Sequence, residues 1–155
     1  MATGVPNYAL GHHASVLQTH SVRTAAKCAA HVLPHILPHH RILDVGCGPG
    51  SITLDLAKLV SEGSAVGVDF SAEAVDVARQ NALDRGVHNC EFRTGDVYSL
   101  DWPDGTFDIV VTNQCLVHLS DPARALMEMR RVCKVGGLVA AREGKYSNPP
   151  PLLRV

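Results

Sequence analysis

The residues that most constrain the fold are Arg41-Ile42-Leu43-Asp44-Val45-Gly46-Cys47-Gly48-Pro49-Gly50-Ser51. Ile42, Leu43 and Val45 form the apolar run of a short buried strand, and Gly46, Gly48 and Gly50 then turn the chain tightly. From Ser51 on, Ile52, Leu54, Leu56, Ala57, Leu59 and Val60 follow helical spacing. Strand, glycine loop and helix in that order set the loop at the C-terminal edge of a parallel sheet. There the absence of Cβ atoms lets a nucleotide-like ligand approach the backbone. The spacing narrows the ligand further. The glycines alternate instead of following G-x-G-x-x-G, and no lysine follows Gly50 as a phosphate-cradling loop requires. Asp44, just before the glycines, repels a polyphosphate and suits a ligand that carries positive charge.

The run Leu43-Asp44-Val45-Gly46-Cys47-Gly48-Pro49-Gly50 resembles motif I of the class I S-adenosylmethionine-dependent methyltransferases. Further along, Ser64-Ala65-Val66-Gly67-Val68-Asp69-Phe70 reads as a second apolar strand ending in an acid. Asp69 stands 25 residues after Asp44, near the spacing at which a carboxylate accepts bonds from two ribose hydroxyls. Ser71 reads as an N-cap, opening a helix that runs through Ala72, Val75, Ala78 and Ala82 to a stop at Gly86. Cys90 to Thr94 reads as a third, edge strand, followed by Gly95-Asp96-Val97. The resemblance implies that Asp96 meets the adenine amino group and the Val97 N–H the ring.

After a turn-rich loop, Tyr98 to Thr106, Phe107 to Thr112 makes a fourth strand, and Asn113-Gln114-Cys115-Leu116-Val117-His118 leaves its C-terminal end. Ser120 or Asp121 can cap a helix with Pro122 in its first turn, and Gly136-Gly137 reads as its stop. Leu138 to Ala141 makes a fifth strand ending in Arg142-Glu143. These elements predict an α/β fold: a Rossmann-like, doubly wound, mainly parallel sheet of five strands, order 3-2-1-4-5.

The expected organisation is one domain. Residues 1–40 form an arm and a helix packing on the sheet, 41–143 the cofactor-binding core, and 144–155 a proline-rich tail. Val22, Ala25, Ala26, Ala29, Ala30 and Leu33 repeat at helical spacing before Pro34, so a helix is expected from His20 to Leu33. The resemblance covers roughly residues 40 to 143. Complete family members continue into a further helix and two strands, which the tail is expected to lack. That would leave strand 5 as an open edge, inviting a homodimer or a partner subunit.

At 155 residues, with a net charge of −1 and no basic cluster, the chain shows no nucleic-acid footprint. No apolar run approaches the roughly 20 residues of a membrane helix, and the N-terminus lacks the regions of a signal peptide, so a cytoplasmic location is the expectation. Five scattered cysteines without C-x-x-C argue against a disulfide framework. His31, His35 and His39 have the spacing of helical metal ligands, but Pro34 and Pro38 interrupt the helix, and no metal is expected.

The resemblance implies S-adenosylmethionine as cofactor, S-adenosylhomocysteine as product and a small-molecule acceptor. The cofactor contacts it implies are Asp44, Gly46, Cys47, Gly48 and Gly50, with Cys47 acting through its backbone, then Asp69, Phe70, Asp96 and Val97, and Asn113 with Gln114 at the sulfur end. Tyr8, His20 and Arg23 are candidates for contact from the N-terminal segment. In-line methyl displacement asks for alignment and exclusion of water. An acceptor that must lose a proton needs a base, and His118 is the candidate, since imidazole titrates near neutral pH. Two other readings stand beside methyl transfer: a cofactor-binding subunit without catalysis, and an enzyme that keeps the cofactor while catalysing a rearrangement or cyclisation.

Overall fold

The computed structural model describes residues 23–144 and 152–155. Tyr8, His20, the arm before residue 23 and the run Asn148–Pro151 lie outside the described residues. The elements in chain order are α1 (Ala25–Cys28), β1 (Arg41–Val45), α2 (Ser51–Leu59), β2 (Ser64–Asp69), α3 (Ala72–Asp84), β3 (Cys90–Thr94), β4 (Phe107–Asn113), α4 (Pro122–Val132), β5 (Cys133–Arg142) and β6 (Leu152–Arg154).

The strands form one sheet of order β3-β2-β1-β4-β5-β6. The first five are parallel, as expected. A sixth strand, β6, pairs antiparallel with β5 through Leu138↔Arg154, Val139↔Leu153 and Ala140↔Leu152. The expected open edge at β5 is therefore covered along these residues, and the edge passes to β6.

Alternation along β1 sorts its side chains between two layers. Ile42 packs with Ala25 and Ala29 of the N-terminal segment, Ile52 and Leu56 of α2, and Ile109 of β4. Leu43 and Val45 face the other layer, with Trp102, Phe107, and Met129 and Val132 of α4. Asp44 shares the face of Ile42, and this parity aims it at α2.

The caps follow the sequence. Ser71 Oγ accepts the Ala74 N–H at 3.2 Å at the start of α3. Asp121 is the cap of α4, its Oδ1 accepting the Arg124 N–H at 3.0 Å ahead of Pro122.

Two further expectations are corrected. The N-terminal helix is one turn, Ala25–Cys28; Ala29 leaves helical geometry, and a 3-10 turn at Leu33–His35 takes Pro34 into its first turn. Gly136-Gly137 does not stop α4, which ends at Val132. β5 begins directly at Cys133, opposite Phe107, and the ladder shifts register before Ile109↔Leu138. Gly136 sits at φ +82°, and a Cβ on Gly137 would stand 2.7 Å from the Asp108 carbonyl oxygen. The pair forms a bulge packed against β4.

Candidate active site at the switch of strand order

Chain order reverses between β1 and β4, and a cavity of about 280 Å³ opens there, outside the C-terminal ends of the strands. The glycine loop is its floor. The Gly46 and Cys47 N–H groups both donate to the Val68 carbonyl, at 2.8 and 3.1 Å, and Gly50 N–H donates to the Cys47 carbonyl at 3.0 Å. Asn81 Nδ2 of α3 donates to the Pro49 carbonyl at 2.9 Å. On the strand side, Thr112 Oγ1 donates to the Val45 carbonyl at 3.0 Å and ties the C-terminal ends of β1 and β4 together.

The three strand-end acids behave differently. Asp44 is buried, and its Oδ2 accepts from Thr53 Oγ1 at 2.7 Å. Burial pushes its pKa up to about 6, against the counteracting Thr53 bond and with help from the nearby Asp69 charge. Asp69 is half-buried and braces the loop: Oδ2 accepts Gly48 N–H at 2.8 Å and Oδ1 accepts Ser71 N–H at 2.9 Å. A carboxylate has about four lone-pair positions, so each oxygen keeps one for a ligand. Asp96 is exposed and uses Oδ1 to fix the Tyr98 N–H at 2.8 Å, beside Val97 on the cavity wall.

Asn113 ends β4 as a buried side chain whose Oδ1 has no hydrogen-bond partner among the described residues. An orphaned acceptor at a cavity wall is costly unless a ligand or water meets it. Gln114 follows at φ +55°, the only non-glycine residue with positive φ among the described residues. His118 closes a 3-10 turn, Leu116–His118, and also lines the cavity.

Of the predicted site residues, Asp44, Gly46, Cys47, Gly48, Asp69, Phe70, Asp96, Val97, Asn113, Gln114 and His118 all line this one cavity. Arg23, a candidate from the N-terminal segment, lines it too. Gly50 does not. A Cβ there would lie 2.8 Å from the Phe92 ring and 2.9 Å from Ala78, so its smallness serves the packing of α2 and α3 on β3. Ser51, Ile52, Cys115 and Leu119 also contribute to the wall. Their adjacency to the glycine loop and to the end of β4 was the signal available for them. Cys115 fills the space beneath Gly46, its Sγ 2.8 Å from where a Cβ would stand, and burial pushes its thiol up to about 12. Cys47 is likewise pushed well above the ordinary thiol range by burial.

Among the described residues no three His, Cys, Asp or Glu side chains gather into a metal-binding group. The residues present fit S-adenosylmethionine. A floor with glycine at 46 and 48, acids for a cationic ligand and for hydroxyls, an amide oxygen without a partner among the described residues, and apolar Ile52, Phe70 and Val97 converge on one cavity.

A family model described as a methyltransferase domain matches residues 36–149, extending the region of resemblance at both ends. An uncharacterized methyltransferase of Schizosaccharomyces pombe is 45% identical over 142 residues, covering 88% of this chain and 51% of that protein. Among solved structures, an S-adenosylmethionine-dependent methyltransferase from Aquifex aeolicus superposes with a TM-score of 0.74 at 25% identity, covering 91% of this chain and 80% of that one. The [4+2]-cyclase SpnF superposes with a TM-score of 0.67 at 32% identity, covering 83% and 44%. The chain spans about half the length of the curated relatives it matches. Motif, topology and family match agree: the chain belongs to the class I S-adenosylmethionine-dependent methyltransferase family.

Proposed function

We propose that this cavity binds S-adenosylmethionine and that the protein transfers its methyl group to a small molecule. The observation that carries the reading is the meeting of Asp44, Asp69 and Asp96 with the glycine loop and with Asn113 Oδ1, which has no partner among the described residues, in one cavity. Gly46 and Gly48 underlie the methionine portion with Asp44 as its buried counter-charge, Asp69 takes the ribose hydroxyls, Asp96 and Val97 take adenine, and Asn113 and Gln114 line the sulfur end. The bound cofactor supplies a methyl group already activated on a sulfonium. The protein's part is to hold that end still, exclude water and align an acceptor. His118 serves as the base for an acceptor that must lose a proton.

The test is calorimetric titration with S-adenosylmethionine and S-adenosylhomocysteine, followed by turnover with candidate acceptors. Micromolar binding supports the cofactor site, and accumulation of S-adenosylhomocysteine supports transfer; a folded chain that binds neither refutes the reading. The likeness to a [4+2]-cyclase favours one second reading, in which the cofactor is retained and a rearrangement or cyclisation is catalysed. Product formed at an undiminished rate with an inert donor analogue would select it.

A further inference from the structure

The loop that leaves β4 makes one wall of the cavity with Gln114, Cys115, His118 and Leu119, and Leu116 and Cys115 pack it from beneath. Val117 is exposed, and the only regular turn is the three-residue Leu116–His118. The amides of His118 and Leu119 bond within the loop, to the Cys115 and Leu116 carbonyls, while the four before them are gathered at the end of β5. Gln114 N–H donates to the Arg142 carbonyl at 2.9 Å. The next three converge on one side chain: Glu143 Oε1 accepts Cys115 N–H at 3.2 Å and Leu116 N–H at 3.1 Å, and Oε2 accepts Val117 N–H at 3.3 Å.

We propose that Glu143 is the positioning residue of the acceptor-side wall: its carboxylate clamps three consecutive amides and so holds Gln114 and His118 against the cavity. A carboxylate is suited to this, because it offers two oxygens with about four lone-pair positions and takes charge-assisted bonds from N–H groups. The clamp also accounts for the positive φ of Gln114. Backbone fixed at Arg142 on one side and at Glu143 on the other leaves that residue to absorb the change of direction from strand to turn. The consequence for chemistry rests on reading the cavity as the cofactor site.

The experiment compares the wild-type chain with Glu143→Ala and Glu143→Gln in two measurements. Without ligand, amide hydrogen exchange at residues 115–117 is expected to speed up about tenfold or more in E143A, since bonds to a charged group are lost. Exchange within β1 and β2 stays unchanged, and E143Q, which keeps one acceptor oxygen, falls between. With ligand, affinity for S-adenosylhomocysteine is expected to drop about tenfold in E143A, while adenosine, which reaches only the Asp69 and Asp96 end, keeps its affinity within about twofold. A general loss of structure would weaken both ligands together. Unchanged exchange at 115–117, or equal weakening of the two ligands, overturns the proposal. A wild-type chain that binds neither ligand overturns the cofactor reading instead, with the exchange measurement still deciding the clamp.

Discussion

Replacing Asp44 by asparagine should make the ligand-free protein more stable and its cofactor site worse. Asp44 is 2% exposed, and its pKa is raised from 3.8 to about 6. A raised carboxylate contributes stability that is fully present below its unfolded value and is lost as pH rises through its folded value. At pH 7 the buried charge therefore costs the folded state close to the whole shift, about 3 kcal/mol at about 1.4 kcal/mol per pKa unit. Asparagine keeps the shape and an oxygen for Thr53 Oγ1 without the charge. For a chain of this size up to about 3 kcal/mol corresponds to a rise in Tm of roughly 6–12 °C at neutral pH, shrinking toward zero near pH 4. Binding should move the other way. A cationic ligand stabilises the ionised form, so wild-type affinity for S-adenosylmethionine should fall about tenfold between pH 7 and pH 5, and the D44N variant should lose both the affinity and the pH dependence. Thermal melts and calorimetry across pH 5–8 read both effects. A D44N variant that melts lower at pH 7 and binds as tightly as wild type would refute the assignment of Asp44 as a stored counter-charge.

Four further outcomes are expected. Asp69→Ala should weaken cofactor binding by roughly 1–3 kcal/mol and lower the melting temperature of the free chain, because Gly48 N–H and Ser71 N–H lose their acceptor; unchanged affinity in a titration removes the ribose assignment. Gly50→Ala should destabilise on the order of 3 kcal/mol by urea unfolding, combining a left-handed φ with a clash on Phe92, whereas Gly86→Ala, left-handed but with open space around it, should cost about 1 kcal/mol; equal costs would deny the packing role of Gly50. His118→Gln should lower methyl-transfer turnover by about 10²–10⁴-fold for an acceptor that loses a proton, with S-adenosylhomocysteine affinity intact, and an unaltered rate excludes it as the base. The edge strand β6, with Leu152 and Leu153 exposed, is expected to pair with a second copy, so light scattering at micromolar concentration should give a dimer; a monomer overturns this.

The parts of the fold visible in the sequence are those governed by local rules. The apolar run before Gly46, the Ser71 cap and the Asp121-Pro122 start of α4 each follow from a few neighbouring residues, and all are present. What escaped was decided by contacts between distant segments. Gly136-Gly137 has the composition of a helix stop, but pairing of Cys133 with Phe107 starts β5 before the glycines are reached, and they become a bulge on β4. The tail is expected from the sequence to lack the last two strands, yet Leu152–Arg154 finds a free row of β5 backbone groups that no local pattern announces. The site divides along the same line. That three acids stand at successive strand ends is a statement about spacing, and it could be read directly. That Asp44 is sealed against α2, that Gly50 is small for Phe92 and not for a ligand, and that Glu143 holds the wall carrying His118 are statements about which faces meet. The residue types that contact a ligand can thus be named from the chain alone, while the groups that hold them in place come from other elements, as near in sequence as Thr53 is to Asp44 or as far as Glu143 is from Cys115, and become visible only when the sheet is assembled.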